Sequence, residues 1–207
     1  MEKLTSIAAL AAPLLEDDID TDAIFPARFL LLMEKEGLGR YLFHDRRQSR
    51  TDHSRGEFVL DRLGFEGARI LITGVNFGCG SSREQAVWSL MSAGIDCVIA
   101  PSFGEIFYAN CFKNGLLPIT LPVETVKWLA DLAEVGVRFE VDLLRQTITA
   151  TGNPAVSFSI TEQRRQSLLN GRDEIDEILI AAADIDQFES GHRRSQPWLF
   201  EDLGVTS

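Results

Sequence analysis

"RILITGVNFGCGSSREQAVWSLMSAG", residues 69–94, holds a strand, a glycine-bearing turn and a helix in one run. Ile70, Leu71 and Ile72 are contiguous apolar residues of the kind that form a buried strand. After the turn, Ala86, Val87, Leu90 and Met91 recur at the three- and four-residue spacing of one helical face. Between them Gly78, Cys79, Gly80, Ser81 and Ser82 stand directly before Arg83 and Glu84. One reading is structural. Ser81, three residues ahead of Glu84, has the spacing of a capping box, and the glycines permit a positive φ in the turn.

The other reading is chemical. A helix N-terminus presents unpaired N–H groups and a partial positive charge, which together bind carboxylate or phosphate. Arg83 adds a bidentate fork at a place where a cation is slightly unfavourable for the helix itself. A serine beside such donors can serve as base or nucleophile, because the same dipoles stabilise an alkoxide. No histidine adjoins it in the chain, so a hydrolase triad does not fit. A P-loop needs Lys where Gly80 stands, and a dinucleotide turn needs glycine where Arg83 stands.

Working outward, the alternation continues. Residues 95–102 read as a strand, 103–115 as a helix stopped by Gly115, 116–122 as a strand and 123–135 as a helix. Residues 137–160 read as three strands with turn signals at Gly152, Asn153 and Pro154. Upstream, "IAALAAPLL" (7–15) is a strand leading into an acidic loop. Residues 34–66 look like an irregular insertion, partly exposed over 34–56. Residues 161–207 form a helical tail with amphipathic segments at 161–171 and 173–190, and with 191–207 loose or docked on a partner. The pattern predicts a layered α/β fold with mainly parallel pairing. At 207 residues it predicts a single domain over 1–207.

A net charge of -11 argues against a nucleic-acid partner, which needs clustered Lys and Arg. No apolar run approaches the roughly 18–20 residues that span a bilayer, so no membrane association is expected. The apolar N-terminal stretch runs straight into an acidic cluster and is read as fold rather than signal peptide. Cys79, Cys97 and Cys111 are odd in number and too widely spaced for a CxxC pair, which suits free thiols in the cytoplasm. His44, His53 and His192 show no ligand spacing, so no metal site is expected on this chain. Asp18, Asp20 and Asp22 alternate as in a calcium loop, but Ala23 and Phe29 occupy the places that require Gly and Glu. Asp and Thr side chains bonding nearby amides are the simpler reading.

Three segments together carry a resemblance: "DDIDTDAIFP" (17–26), "NFGCGSSREQA" (76–86) and "VIAPSFGEIFYANCFKNGLLPI" (98–119). In this order and spacing they resemble the aconitase family, and within it the small subunits of 3-isopropylmalate dehydratase, over nearly the whole chain. The resemblance implies a three-layer β/β/α swivelling domain that closes over a large subunit carrying a four-iron, four-sulfur cluster. The cluster cysteines then belong to that partner, this chain binds no cofactor, and Cys79 is a small packing residue.

The resemblance also implies residue roles. Ser81 is the general base, and Ser82 and Arg83 bind a substrate carboxylate. Thr21 and Asp22 reach the active site, with Asp22 orienting groups. Phe103, Phe107 and Tyr108 remain core or interface residues. The loop after "DTDAIFP" reads the substrate's variable group. Leu30, Leu31 and Leu32 there suit an isopropyl or methyl substituent, with Arg28 as the one nearby objection. Leucines facing the core are the alternative. The insertion "FHDRRQSRTDHSRG" (43–56) departs from a more aromatic usual segment and leaves the side group open. The implied activity is one half of a hydro-lyase that isomerises 2-isopropylmalate. Its rivals are a paralogue for a methyl-substituted malate or related diacid, and a non-catalytic swivelling domain.

Overall fold

The computed structural model describes residues 1–32, 37–48 and 58–200. Seven strands form one sheet: β1 (Ser6–Leu14), β2 (Ile70–Thr73), β3 (Cys97–Ala100), β4 (Leu117–Thr120), β5 (Arg138–Asp142), β6 (Thr147–Ala150) and β7 (Val156–Ser157), in the order β4-β3-β2-β1-β5-β6-β7. The β4-β3-β2-β1 half is parallel and the β1-β5-β6-β7 half antiparallel. Strand β1 joins them by changing partner along its length. Residues 6–10 pair with β5 and residues 11–14 with β2. Pro13 therefore falls beyond the β5 pairing, where a missing N–H breaks no second ladder. Pro118 is tolerated for a related reason, since β4 is an edge strand.

Eight helices accompany the sheet among the described residues: α1 (Thr21–Ile24), α2 (His44–Gln48), α3 (Glu84–Ser92), α4 (Glu105–Asn114), α5 (Val123–Glu134), α6 (Glu162–Asn170), α7 (Glu174–Ile180) and α8 (Ala182–Ser195). Alternation in the central strands divides the interior in two. Ile70, Ile72, Cys97 and Ile99 face one side, where Val126, Leu129, Ala130 and Ala133 of α5 meet Phe139, Val141, Ile148 and Ala150 of the curled antiparallel half. Those four α5 residues hold the spacing of a single helical stripe. Leu71, Val98 and Ala100 face the other side, beneath Ala86, Val87 and Leu90 of α3 and Phe107 and Cys111 of α4. The expected strand–helix alternation and its fully buried parallel strands follow from this sandwiching.

Gly115 ends α4 in the left-handed conformation, as the sequence anticipates. The insertion is less irregular than expected where it is described: residues 38–41 form a 3-10 turn and α2 follows. Residues 33–36 and 49–57 of it lie outside the described residues. In the tail, α8 runs to Ser195 and a 3-10 turn covers Pro197–Leu199. Residues 201–207 lie outside the described residues. No helix among the described residues is long and apolar enough to cross a membrane.

Candidate functional site

Three loops leave the C-terminal ends of β1, β2 and β3 and knit together above the sheet. The Asp18 amide donates to the Val75 carbonyl at 2.8 Å, Gly78 to Ile19 at 2.7 Å and Thr21 to Cys79 at 2.9 Å. Phe77 donates to Ser102 at 3.1 Å, and Gly104 to Phe77 at 2.9 Å. The crevice outside the carboxyl ends of parallel strands is the usual ligand position in open α/β sheets.

The acidic run serves this knitting. Asp17 accepts from the Val75 amide, Asp18 from the Asn76 side chain and Asp20 from the Ala23 amide at the start of α1. Asp17 and Asp18 thus fasten loops far apart in sequence, while Asp20 caps its own short helix.

Gly78 is required twice over. Its φ is +74°, and a Cβ there would stand 2.2 Å from the ring of Phe107, a fully buried residue. The glycine therefore clears space for a phenylalanine rather than for a ligand. Gly78→Ala is expected to cost about 2–5 kcal/mol, from left-handed strain and overpacking together. The melting temperature should fall by roughly 5–15 °C in a thermal melt followed by circular dichroism.

The predicted capping box does not form. Helix α3 begins at Glu84 with Arg83 as the N-cap residue, and no side chain caps it. The Glu84 carboxylate instead accepts from Asn114 on α4 at 2.7 Å, and Asn114 in turn accepts from the Trp88 indole at 2.9 Å. Glu84 therefore ties α3 to α4 instead of reaching back. The first helical amide with a backbone acceptor is that of Ala86, donating to Arg83 at 3.2 Å. Among the described residues the Glu84 and Gln85 amides ahead of it have no hydrogen-bond acceptor, and they stand at the open helix end where an anion is favoured.

Ser81 and Ser82 are exposed beside that end. Thr21, almost wholly buried, donates its hydroxyl to the Ser81 carbonyl at 3.1 Å, and its Oγ1 lies 3.2 Å from Ser81 Oγ. Arg83 Nη1 donates to Asp22 Oδ1 and to the Phe25 carbonyl at 3.4 Å. The same Asp22 oxygen accepts from the Ala27 amide at 2.8 Å. That amide first, and Arg83 second, hold the Asp22 carboxyl below the usual carboxylate range. A depressed acid contributes its pairing above its ordinary pKa and loses it only in acid, so this anchor persists through neutral pH.

The structure thus brings Thr21, Asp22, Ser81, Ser82 and Arg83 to one place. It divides the leucines: Leu30 and Leu32 pack against the core, whereas Leu31 is 91 % exposed. Phe107 is core, and Phe103 and Tyr108 are partly buried. Cys97 and Cys111 are buried, and burial raises both thiols. Desolvation, helped by Asp20 and Asp18, raises the Cys79 thiol as well. Among the described residues no three His, Cys, Asp or Glu side chains converge as metal ligands. The pairing of Thr21 with Ser81, and of Asp22 with Arg83, joins residues about sixty apart and leaves no local signal in the sequence.

The mixed seven-stranded sheet with its covering helices is the fold of the swivelling domains of the aconitase type. The Aconitase C-terminal domain family accordingly matches residues 1–124, which contain every loop described above. The chain belongs to the family of 3-isopropylmalate dehydratase small subunits. The C-terminal domain family of those subunits matches residues 181–202. The chain is 46% identical over 201 residues to the 3-isopropylmalate dehydratase small subunit of Dinoroseobacter shibae, covering 96% of this chain and 100% of that one. It is 48% identical over 200 residues to that of Gluconacetobacter diazotrophicus, covering 96% and 97%. The crystal structure of 3-isopropylmalate dehydratase from Methanocaldococcus jannaschii superposes with a TM-score of 0.63 at 26% identity, covering 88% of this chain and 98% of that one.

Proposed function

We propose that this chain is the small subunit of a cytoplasmic hydro-lyase of leucine biosynthesis, which isomerises 2-isopropylmalate to 3-isopropylmalate with a large subunit. A four-iron, four-sulfur cluster on that partner supplies a Lewis acid for the substrate hydroxyl. This chain supplies a base and carboxylate-binding groups. The observation that carries the assignment is the exposed Ser81 hydroxyl held by Thr21 next to the open end of α3 and the anchored Arg83.

In this reading the Ser81 alkoxide takes the proton from the substrate carbon that bears a carboxylate and becomes the hydroxyl, as the carbon–carbon double bond forms and hydroxide leaves the neighbouring carbon. Returning water with the opposite orientation moves the hydroxyl. Ser82, the Glu84 and Gln85 amides and the unanchored edge of the Arg83 guanidinium hold a carboxylate. Asp22 orients Arg83 and takes no proton, being kept ionised. Thr21 acts through Ser81 rather than on substrate. With one proton, it donates to the Ser81 carbonyl while Ser81 is a hydroxyl, and turns to donate to Oγ once the proton has left. In this reading Leu31, exposed in the loop that follows α1, and Leu30 before it in the chain offer apolar surface to the isopropyl group.

Reconstitution tests the assignment. The chain alone should dehydrate nothing, and mixing it with a cluster-loaded large subunit should produce 2-isopropylmalate-dependent absorbance of the unsaturated diacid. Activity of the isolated chain, or a complex inert toward 2-isopropylmalate, overturns it.

A further inference from the structure

The loop that follows the site carries a cation that an apolar pocket does not need. Arg28 lies one residue beyond the Ala27 amide that Asp22 fixes, so its main chain begins at the substrate-facing ion pair. Its fork is already occupied. Nη1 donates to Asp45 Oδ2 at 3.0 Å, Nη2 donates to Asp45 Oδ1, and Nη2 also lies 3.0 Å from His44 Nδ1. The attachment extends beyond charge. The Phe29 ring sits 4.4 Å from that of Tyr41 and 4.9 Å from that of His44, and the Arg28 guanidinium stacks over Phe29 at 4.6 Å. Residues 28 and 29 are thus clipped to α2 and the turn before it. Arg28 holds the Asp45 carboxyl down to about 2, so the pair stays charged at any working pH. Asp22 and Asp45 both act electrostatically on Arg28, which places this pair within the field of the Arg83–Asp22 anchor.

We propose that Asp45 is a specificity-determining residue: by occupying the Arg28 fork it withholds from the substrate the one cation among the described residues of that loop, so that an uncharged side group is accepted and a carboxylate-bearing one refused. This rests on the function proposed above. The physical reason is that a third carboxylate entering the site requires a free cation to offset its desolvation. Asp45 acts through Arg28 and touches no substrate.

Replacing the isopropyl group of 2-isopropylmalate by carboxymethyl gives citrate, which is therefore the probe. In the reconstituted two-subunit complex, Asp45→Asn should lower the inhibition constant of citrate against 2-isopropylmalate by about tenfold or more, the scale of one charge-assisted fork. It should leave kcat/KM for 2-isopropylmalate within about threefold, because an exposed pair contributes little to folding. Adding Arg28→Gln to Asp45→Asn should restore weak citrate binding. Arg28→Gln alone should leave citrate binding as in the parent complex, since the fork is engaged there already. The inference is overturned if Asp45→Asn leaves citrate binding unchanged or weakens both ligands alike. It is also overturned if the citrate gain survives loss of Arg28, or if Arg28→Gln alone abolishes citrate inhibition. Titration calorimetry of citrate on the same complexes reads the shift without turnover. An inert parent complex therefore counts against the proposed function and not against this inference.

Discussion

Ser81→Ala, assembled with the large subunit, turns over 2-isopropylmalate roughly 100- to 10,000-fold more slowly, the range that a positioned general base contributes. The substrate KM moves by no more than about threefold, because Arg83 and the helix-end amides remain to hold the carboxylate. The melting temperature stays put. A helix cap would make that last expectation wrong, since truncating a capping serine costs about 1 kcal/mol. Ser81 is no cap, however: α3 starts three residues later, and the Ser81 hydroxyl is exposed with Thr21 beside it. Steady-state kinetics and a thermal melt on the same preparation separate the two roles. A drop of several degrees with near-normal kcat would make Ser81 a structural residue and return the base to be found elsewhere.

The same contrast marks where sequence reasoning succeeds. The strand–turn–helix at residues 69–94 is legible because its strand is apolar throughout and its helix apolar on one face, and both patterns are local. Residues 116–122 and 123–135 are legible for the same reason. The positive φ at Gly78 follows from its residue type, but its purpose does not. The Phe107 ring that fills the space comes from the next helix, and no spacing within the turn announces it. The Ser81–Glu84 spacing is a true capping signature that loses to tertiary structure. Asn114, thirty residues on, offers Glu84 a partner in the partly buried seam between α3 and α4, which outcompetes a reach back to the helix start. Leu30 and Leu32 against Leu31 show the finer limit: a row of three like residues carries no period, so which one turns outward is decided by what lies beneath. Asp45 lies beyond any motif, since its meaning depends on Arg28 seventeen residues before it.

Arg83→Lys should leave kcat within about threefold while raising the KM for 2-isopropylmalate roughly 10- to 100-fold. The guanidinium here has two duties. One nitrogen, Nη1, is committed to Asp22 and the Phe25 carbonyl, and the side chain is largely shielded from water. The remaining donors form the edge that a carboxylate can engage in parallel. An ammonium can keep the charge and one of these duties, but not both, because it lacks the planar fork. A charge-assisted hydrogen bond is worth about 1.5–3 kcal/mol, and each 1.4 kcal/mol is tenfold in affinity, which sets the range. The KM effect identifies Arg83 as a binding group, as the kcat effect identifies Ser81 as the base. The two variants should therefore fail in opposite columns of the same kinetic measurement. If Arg83→Lys instead lowers kcat by the same factor as Ser81→Ala with KM unchanged, the arginine acts only in the transition state, and the helix-end amides alone carry ground-state binding.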